Sequence, residues 1–316
     1  MLKDLIKNYK KIAICGHKKP DGDCIGSTLT VYNYIKKYTN KHADIFLEPI
    51  SDSYSFLENY DKIKHSYEDI GYDLIIALDC GDSNRIGVVE FNKNIDSICI
   101  DHHISNEGFA TTNIIHPNAA ATCEILFDLI PKNELDKSLA ETIYLGIIHD
   151  TGVFRYTNTS KKTFEIAGIL IDLNIDSNKI INETFEEKSY SSNLLLGKML
   201  QNSKLYLNNK VIVGNITKQD FIDYKIDSSD LDGFVDAIRI TKGVLVACFI
   251  YPTNTGYKIS LRSNKNTNVS VIASYFGGGG HIKAAGYNTN TTDYDIVLST
   301  LLNKIQEYLE WMELLL

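Results

Sequence analysis

No run of eighteen apolar residues occurs in the sequence, so no segment reads as a membrane-spanning helix. The opening MLKDLIKNYKKIAICGH is broken by lysines and lacks the long apolar core of a secretion signal. The six cysteines (Cys15, Cys24, Cys80, Cys99, Cys123 and Cys248) contain no C-x-x-C pair, and several fall in apolar runs, as reduced, buried thiols do. Together these absences lead us to expect a cytoplasmic protein. There is no excess of positive charge either. Lys and Arg number 32 against 40 Asp and Glu, a net charge of −8, which argues against a large footprint on long duplex nucleic acid. A small phosphate-bearing ligand stays compatible with that balance, because bound metal supplies local positive charge. No long repeat and no low-complexity linker interrupts the 316 residues. That length suggests two domains.

What is present begins with KIAICG (11–16), a short apolar run rich in β-branched residues, followed by helical spacing in IGSTLTVYNYIKKY (25–38). HADIFLE (42–48), YDLIIALDCGD (72–82) and IDSICIDHH (95–103) read as further strands. Segments 120–130, 137–150 and 160–173 read as helices, and the alternation predicts a parallel α/β sheet with helices on both faces. After about residue 175 the pattern changes. The expected division is a catalytic domain at 1–180, a helical connector at 181–205 and a smaller α+β domain at 206–316. In the last of these, 210–217, 243–252 and 256–263 read as strands, 269–276 as a helix, 277–286 as a glycine-rich loop and the final segment as an amphipathic helix.

Four polar clusters follow apolar stretches: His17/Asp21/Asp23, Asp79, Asp101/His102/His103 and His149/Asp150. In open α/β sheets ligands collect at the carboxyl ends of strands, so these tails should converge. Mixed carboxylate and imidazole donors suit Mn²⁺, Fe, Co or Zn better than Ca²⁺. Asp21 and Asp23, two apart, would point to opposite sides in extended chain and so serve two neighbouring ions, with Asp79 as a bridge. Paired ions are a known device for phosphoester hydrolysis. In the second domain, the glycine run before His281 offers backbone N–H groups to an anion, without the Gly-Lys-Ser/Thr of a P-loop, and Arg262 adds a charged donor. His149 reads as a packing histidine rather than a ligand.

The motifs HKKPDGD, ALDCGD, IDHH and GIIHDTGVFRY, followed by FGGGGHIKAAG, resemble those of the DHH/DHHA1 phosphoesterase family from about Ile12 to Gly286. The likeness is nearest to its short bacterial members that act on oligoribonucleotides and on 3′-phosphoadenosine 5′-phosphate (pAp). It implies an α/β DHH domain and an α+β DHHA1 domain with the active site in the cleft between them. It further implies two Mn²⁺ ions, with Mg²⁺, Co²⁺ or another divalent ion as substitutes. His17 and Asp21 would hold one ion, Asp23, His102 and Asp150 the other, and Asp79 would bridge. By the same likeness His103 faces the scissile phosphate, Asp101 orients the histidines, and Arg262, Gly278, Gly279, Gly280 and His281 bind substrate. The expected substrates are short single-stranded RNA, pAp or dinucleotides, with no membrane partner, and a homodimer is left open. Alternatives within the family are a cyclic-di-AMP or pApA phosphodiesterase, a single-strand DNA exonuclease and a manganese pyrophosphatase. Outside enzymes, a non-catalytic nucleotide sensor would use the same cleft.

Overall fold

Runs of β-branched residues without polar alternation must be buried on both faces, and the first half of the chain meets that need with a parallel sheet. In the computed structural model, which describes residues 1–92 and 94–314, this sheet holds β1 (Lys11–Cys15), β2 (His42–Phe46), β3 (Ile63–Lys64), β4 (Leu74–Leu78), β5 (Asp96–Asp101) and β6 (Thr112–Ile115). Their order is β3-β2-β1-β4-β5-β6 and every neighbouring pair is parallel. The helices of this part are α1 (Leu2–Ile6), α2 (Gly22–Tyr38), α3 (Thr122–Leu129), α4 (Lys137–Asp150), α5 (Lys161–Ile171) and α6 (Ser177–Ile181). The chain divides into two compact units, Met1–Glu187 and Lys188–Leu316.

Alternation along the strands sorts the core of the first unit into two layers. Ile12, Ile14, Leu74, Ile76, Leu78, Ile98 and Ile100 join the buried residues of all six helices. Ala13, Cys15, Ile75 and Ala77 face the other way, onto Phe46, Tyr72, Cys80, Ile86 and Val89. This second face is covered by loop residues and a 3₁₀ turn at Ser83–Arg85, where helices on both faces were expected. The connection from β4 to β5 carries Ile86, Val89 and Phe91 onto this face and seals the sheet there.

The second unit is α+β. Its sheet contains β7 (Lys204–Tyr206), β8 (Val211–Asn215), β9 (Val246–Pro252), β10 (Tyr257–Ser263), β11 (Gly279–Gly280) and β12 (Ala284–Thr289), in the order β11-β12-β10-β9-β8-β7. Only β8 and β9 run parallel. One face packs on α10 (Val269–Tyr275) and α11 (Tyr294–Leu314). The other packs on α7 (Tyr190–Asn202), α8 (Lys218–Tyr224) and α9 (Phe234–Arg239), with Leu195 and Met199 of α7 fully buried there. Residues 277–286, expected as a loop, form a tight hairpin between β11 and β12. Among the described residues, no helix is long and apolar enough to cross a membrane.

Candidate metal centre

The sheet of the first unit winds outward in both directions from β1 and β4, which are spatial neighbours far apart in sequence. Such a switch point leaves a crevice beyond the carboxyl ends of the strands. The loops leaving β1, β4 and β5 begin there, carrying His17 to Asp23, Asp79, and His102 with His103. Asp150 reaches the same place from the last turn of α4.

His17 Nε2 lies 3.4 Å from Asp79 Oδ2 and 3.6 Å from Asp21 Oδ1. His102 Nε2 lies 2.9 Å from Asp150 Oδ2 and 3.6 Å from Asp79 Oδ1. Three sets of ligand atoms fall within 4.8 Å of one another: His17/Asp21/Asp79, Asp23/His102/Asp150 and Asp79/His102/His103. Asp79 is common to two of these sets. It sits in the left-handed backbone region at φ 57°, a conformation that costs a non-glycine residue about 1–2 kcal/mol. That strain is kept at the residue where β4 ends and the sets overlap.

Asp21 and Asp23 diverge for a different reason from the one expected. The chain is extended only at Asp21 and turns helical from Gly22. Asp21 is the N-cap of α2, its Oδ1 accepting from the N–H groups of Asp23 and Cys24 at 3.2 Å each. Asp23 belongs to the first helical turn and is fully buried, whereas the Asp21 side chain is 56% exposed. The cap has turned the backbone between them.

The imidazoles are oriented by acceptors on their far side. The Lys18 carbonyl accepts from His17 Nδ1 at 2.8 Å, and the Ala119 carbonyl from His102 Nδ1 at 3.3 Å, so both Nε2 atoms face the carboxylates. His103 Nδ1 is held by Asp101 Oδ1 at 2.7 Å, and Asp101 Oδ2 accepts from Asn106 Nδ2 at 2.7 Å. Burial opposes ionisation of Asp101, but these two donors outweigh it and keep the carboxyl below its ordinary value.

Sequence reasoning missed the group that secures Asp23. The N-cap of α3 is Ala121, whose methyl side chain accepts no hydrogen bond, so the first N–H groups of the helix are orphans within it. The Asp23 carboxylate fills that role from across the fold: Thr122 N–H donates to Oδ2 at 2.6 Å and Cys123 N–H to Oδ1 at 3.0 Å. The Thr122 hydroxyl donates to Asp79 Oδ1 at 3.1 Å. A helix beginning on alanine was the available signal. Gly146 of α4 gives Asp23 its room, since a Cβ there would lie 2.4 Å from Asp23 Oδ1.

The electrostatics show what the pocket requires. Burial and the nearby charges of Asp79 and Asp150 push the Asp23 carboxyl well above the usual range. Burial pushes Asp150 up to about 6, against the hydrogen bond from His102. Burial disfavours charged His17, yet Asp21 and Asp79 outweigh it and raise its pKa to about 11. Asp150 and Asp79 raise His102 against the same penalty. Without a cation, protons must therefore neutralise the cluster. The donors they occupy are imidazole nitrogens and carboxylate oxygens, the set that borderline divalent ions prefer. The residues fit divalent metal.

His149 is placed differently. Its ring packs on Gly22, where a Cβ would come within 2.1 Å of the imidazole, and its Nε2 lies 3.2 Å from Thr184 Oγ1. In the second unit, Arg262 of β10 pairs with Asp236, Nε to Oδ2 at 3.2 Å, and stands opposite Ala284 of β12. β12 in turn pairs with Gly279 and Gly280, so Arg262 and the glycine hairpin are brought together. Backbone crowding already explains two of the glycines. A Cβ on Gly278 would lie 2.3 Å from the Gly286 carbonyl, and one on Gly280 (φ 141°) 2.5 Å from the Ala284 carbonyl. His281 closes the hairpin through its N–H to the Ala284 carbonyl at 2.7 Å.

Comparison with known proteins adds an independent line. Residues 11–147 match the model of the DHH family, N-terminal domain, and residues 208–310 that of the DHHA1 domain. The chain is 28% identical over 302 residues to the bifunctional oligoribonuclease and PAP phosphatase NrnA of Thermus thermophilus, spanning 94% of this chain and 90% of that protein. It is 25% identical to the cyclic-di-AMP phosphodiesterase GdpP of Bacillus subtilis, spanning 98% of this chain and 49% of that one. The crystal structure of an exopolyphosphatase-related protein from Bacteroides fragilis superposes with a TM-score of 0.87 at 27% identity, covering 99% of this chain and 95% of the other.

Proposed function

Because the chain belongs to the DHH/DHHA1 family of phosphoesterases, enzymes that hydrolyse phosphoester bonds, we propose that it cleaves short oligoribonucleotides and pAp with the help of two Mn²⁺ ions. The observation carrying this reading is the pair of donor sets at one crevice, His17/Asp21 and Asp23/His102/Asp150, with Asp79 between them. In this reading each set holds one ion and Asp79 is shared. Bound there, the ions would supply Lewis-acid neutralisation of the phosphoryl group and acidify the attacking water.

The chain's own residues do the rest. Hydrolysis joins a water oxygen to phosphorus and breaks the bond from phosphorus to a ribose oxygen, which must then take up a proton. His103 is suited to give it. Burial works against its charged form, but Asp101 and Asp79 overcome that and raise its pKa, and Asp101 fixes Nδ1 so that Nε2 is the donating atom. Thr122 and the start of α3 keep Asp23 and Asp79 from turning away. In the second unit, Arg262, Gly278, Gly279, Gly280 and His281 bind the substrate. A net charge of −8 favours small substrates over long polyanions.

The test is a substrate panel on purified protein, stripped with chelator and reloaded with Mn²⁺ or Mg²⁺. We expect turnover of pAp and of two- to five-nucleotide RNA, with a loss of about a hundredfold or more in Asp79→Asn and His102→Ala. Faster release of phosphate from inorganic pyrophosphate than from any nucleotide would overturn the reading. The likeness to a cyclic-di-AMP phosphodiesterase favours one second reading, and cyclic-di-AMP in the same panel decides between them.

A further inference from the structure

Two unusual pieces of backbone meet beside the centre, and the chemistry above uses neither. The first follows Asp150 directly. Gly152, Val153 and Phe154 are all left-handed, at φ 55°, 55° and 62°. For a β-branched residue such as Val153 this is a genuine outlier. The turn is held by Val153 N–H to the Ile148 carbonyl at 2.7 Å and by the N–H groups of Arg155 and Tyr156 to the Thr151 carbonyl at 2.9 Å each. Its product is an exposed Arg155 whose Nε donates to the Gly152 carbonyl at 2.7 Å, which fixes the plane of the guanidinium. Arg155 has no carboxylate partner among the described residues.

The second piece is the π-helical turn Asn182–Glu186, a geometry rare in proteins and frequent at functional sites. It carries Phe185, half-buried, with the Arg155 guanidinium 5.5 Å above its ring. Phe185 also meets the His149 ring, at 5.5 Å in edge contact, and His149 rests on Gly22 between Asp21 and Asp23. A continuous line of flat groups thus runs from the metal-ligand loop outward: His149, Phe185, Arg155.

We infer that Arg155 and Phe185 form a stacking platform for a nucleobase of the substrate. The inference rests on the reading of the centre as a nucleotide phosphoesterase and narrows it, since inorganic phosphates have nothing to stack. Guanidinium planes and aromatic rings are the surfaces on which single-stranded bases pack, without regard to base identity. An arginine already layered on phenylalanine, and not neutralised by a carboxylate, offers such a plane preformed. The strained turn holds it rigid, so little side-chain freedom is lost when a base arrives.

The test uses a dinucleotide containing 2-aminopurine, whose fluorescence falls on stacking, together with an abasic analogue of the same length. With wild-type protein we expect quenching on binding, and about tenfold better hydrolysis of the base-bearing substrate. Arg155→Ala and Phe185→Ala should each lose the quench and that preference. Arg155→Lys should resemble Arg155→Ala, because a lysine keeps the charge but has no plane. Arg155 is exposed, so its variants remain informative if Phe185→Ala folds poorly. Full quenching and full preference in the Arg155 variants would overturn the platform. The two readings fail separately. Hydrolysis of nucleotides with no effect of these variants removes the platform alone. A platform that quenches the probe in a protein unable to hydrolyse any nucleotide removes the phosphoesterase substrate assignment alone.

Discussion

At the scale of single residues, the centre depends on groups that never need to touch a metal or a phosphate. Thr122 is fully buried and donates from both its hydroxyl and its backbone, to Asp79 and Asp23 respectively. Substitution by alanine removes the hydroxyl and leaves the backbone donor in place. Thr122→Ala should therefore loosen Asp79 while α3 continues to hold Asp23. The expected result is a drop in divalent-ion affinity of about tenfold or more, read by calorimetric titration of chelated protein. Thr122→Ser restores the donor and should recover most of the affinity, whereas Thr122→Val, which fills the space, should not. Equal affinity in all four proteins would mean that the bond to Asp79 does not position it. Asp21, Asp23, Asp79 and the DHH histidines were legible because charged residues directly after apolar runs are conspicuous. Thr122 was not, because a buried threonine next to a helix start looks like packing until the carboxylate it meets, about a hundred residues away in sequence, is in view.

At the scale of elements, α2 and α4 form the layer that carries Asp23 and Asp150, and they approach closely because of two glycines, Gly26 and Gly146. A Cβ on Gly26 would lie 2.4 Å from the Thr142 carbonyl, and the Thr30 and Thr142 hydroxyls bond across the same seam at 2.7 Å. Gly26→Ala should push the helices apart and cost about 1–3 kcal/mol in urea unfolding. Gly168 is the opposite case. It lies within α5 with nothing inside 4 Å of its Cβ position, so Gly168→Ala should stabilise by roughly 0.5–1 kcal/mol through helix propensity and the unfolded chain. If both changes shift stability in the same direction, the close approach is not what Gly26 serves. Legibility at this scale followed the strength of the pattern. β1, β4 and β5 are continuous apolar runs, and α4 spans the expected residues because its cap, Asp136, and its periodicity agree. α2 begins three residues before its apolar spacing does, since Gly22, Asp23 and Cys24 serve the site rather than a surface stripe. β3, β6, β7, β11 and β12 escaped notice as strands. The first four lie at sheet edges and are only two to four residues long, and β11 is made only of glycine, so none of them has the alternation that marks a strand. β12 is an inner strand whose start fell within the expected glycine-rich loop.

At the scale of the whole molecule, the chain has two sheets, each with its own pair of apolar clusters. Among the described residues only the first unit carries a cluster of buried acids without a lysine or arginine partner, the buried Asp220 of the second being paired with Lys198. Cation binding should therefore stabilise one unit and leave the other alone. A ligand that binds only the folded form, present at a hundred times its dissociation constant, contributes about 2.7 kcal/mol, which for a unit of this size raises its midpoint by roughly 5–10 °C. Protons set the pH dependence. In the cation-free unit the pKa values of His17 (about 11), His102 and Asp23 lie above their ordinary values, so the fold binds more protons than the unfolded chain, and its stability falls as pH rises. For His17 this contribution is complete below the ordinary histidine value near 6.5 and is lost as pH climbs toward about 11. Metal binding runs the other way, because each donor must shed its proton first. The gap between the Mn²⁺-loaded and chelated proteins should thus widen from about pH 6 to about pH 8 in scanning calorimetry, confined to one of two transitions. A chelator that lowers both transitions equally, or a gap that narrows with rising pH, would mean that the acids of the first unit are neutralised by something other than a divalent ion.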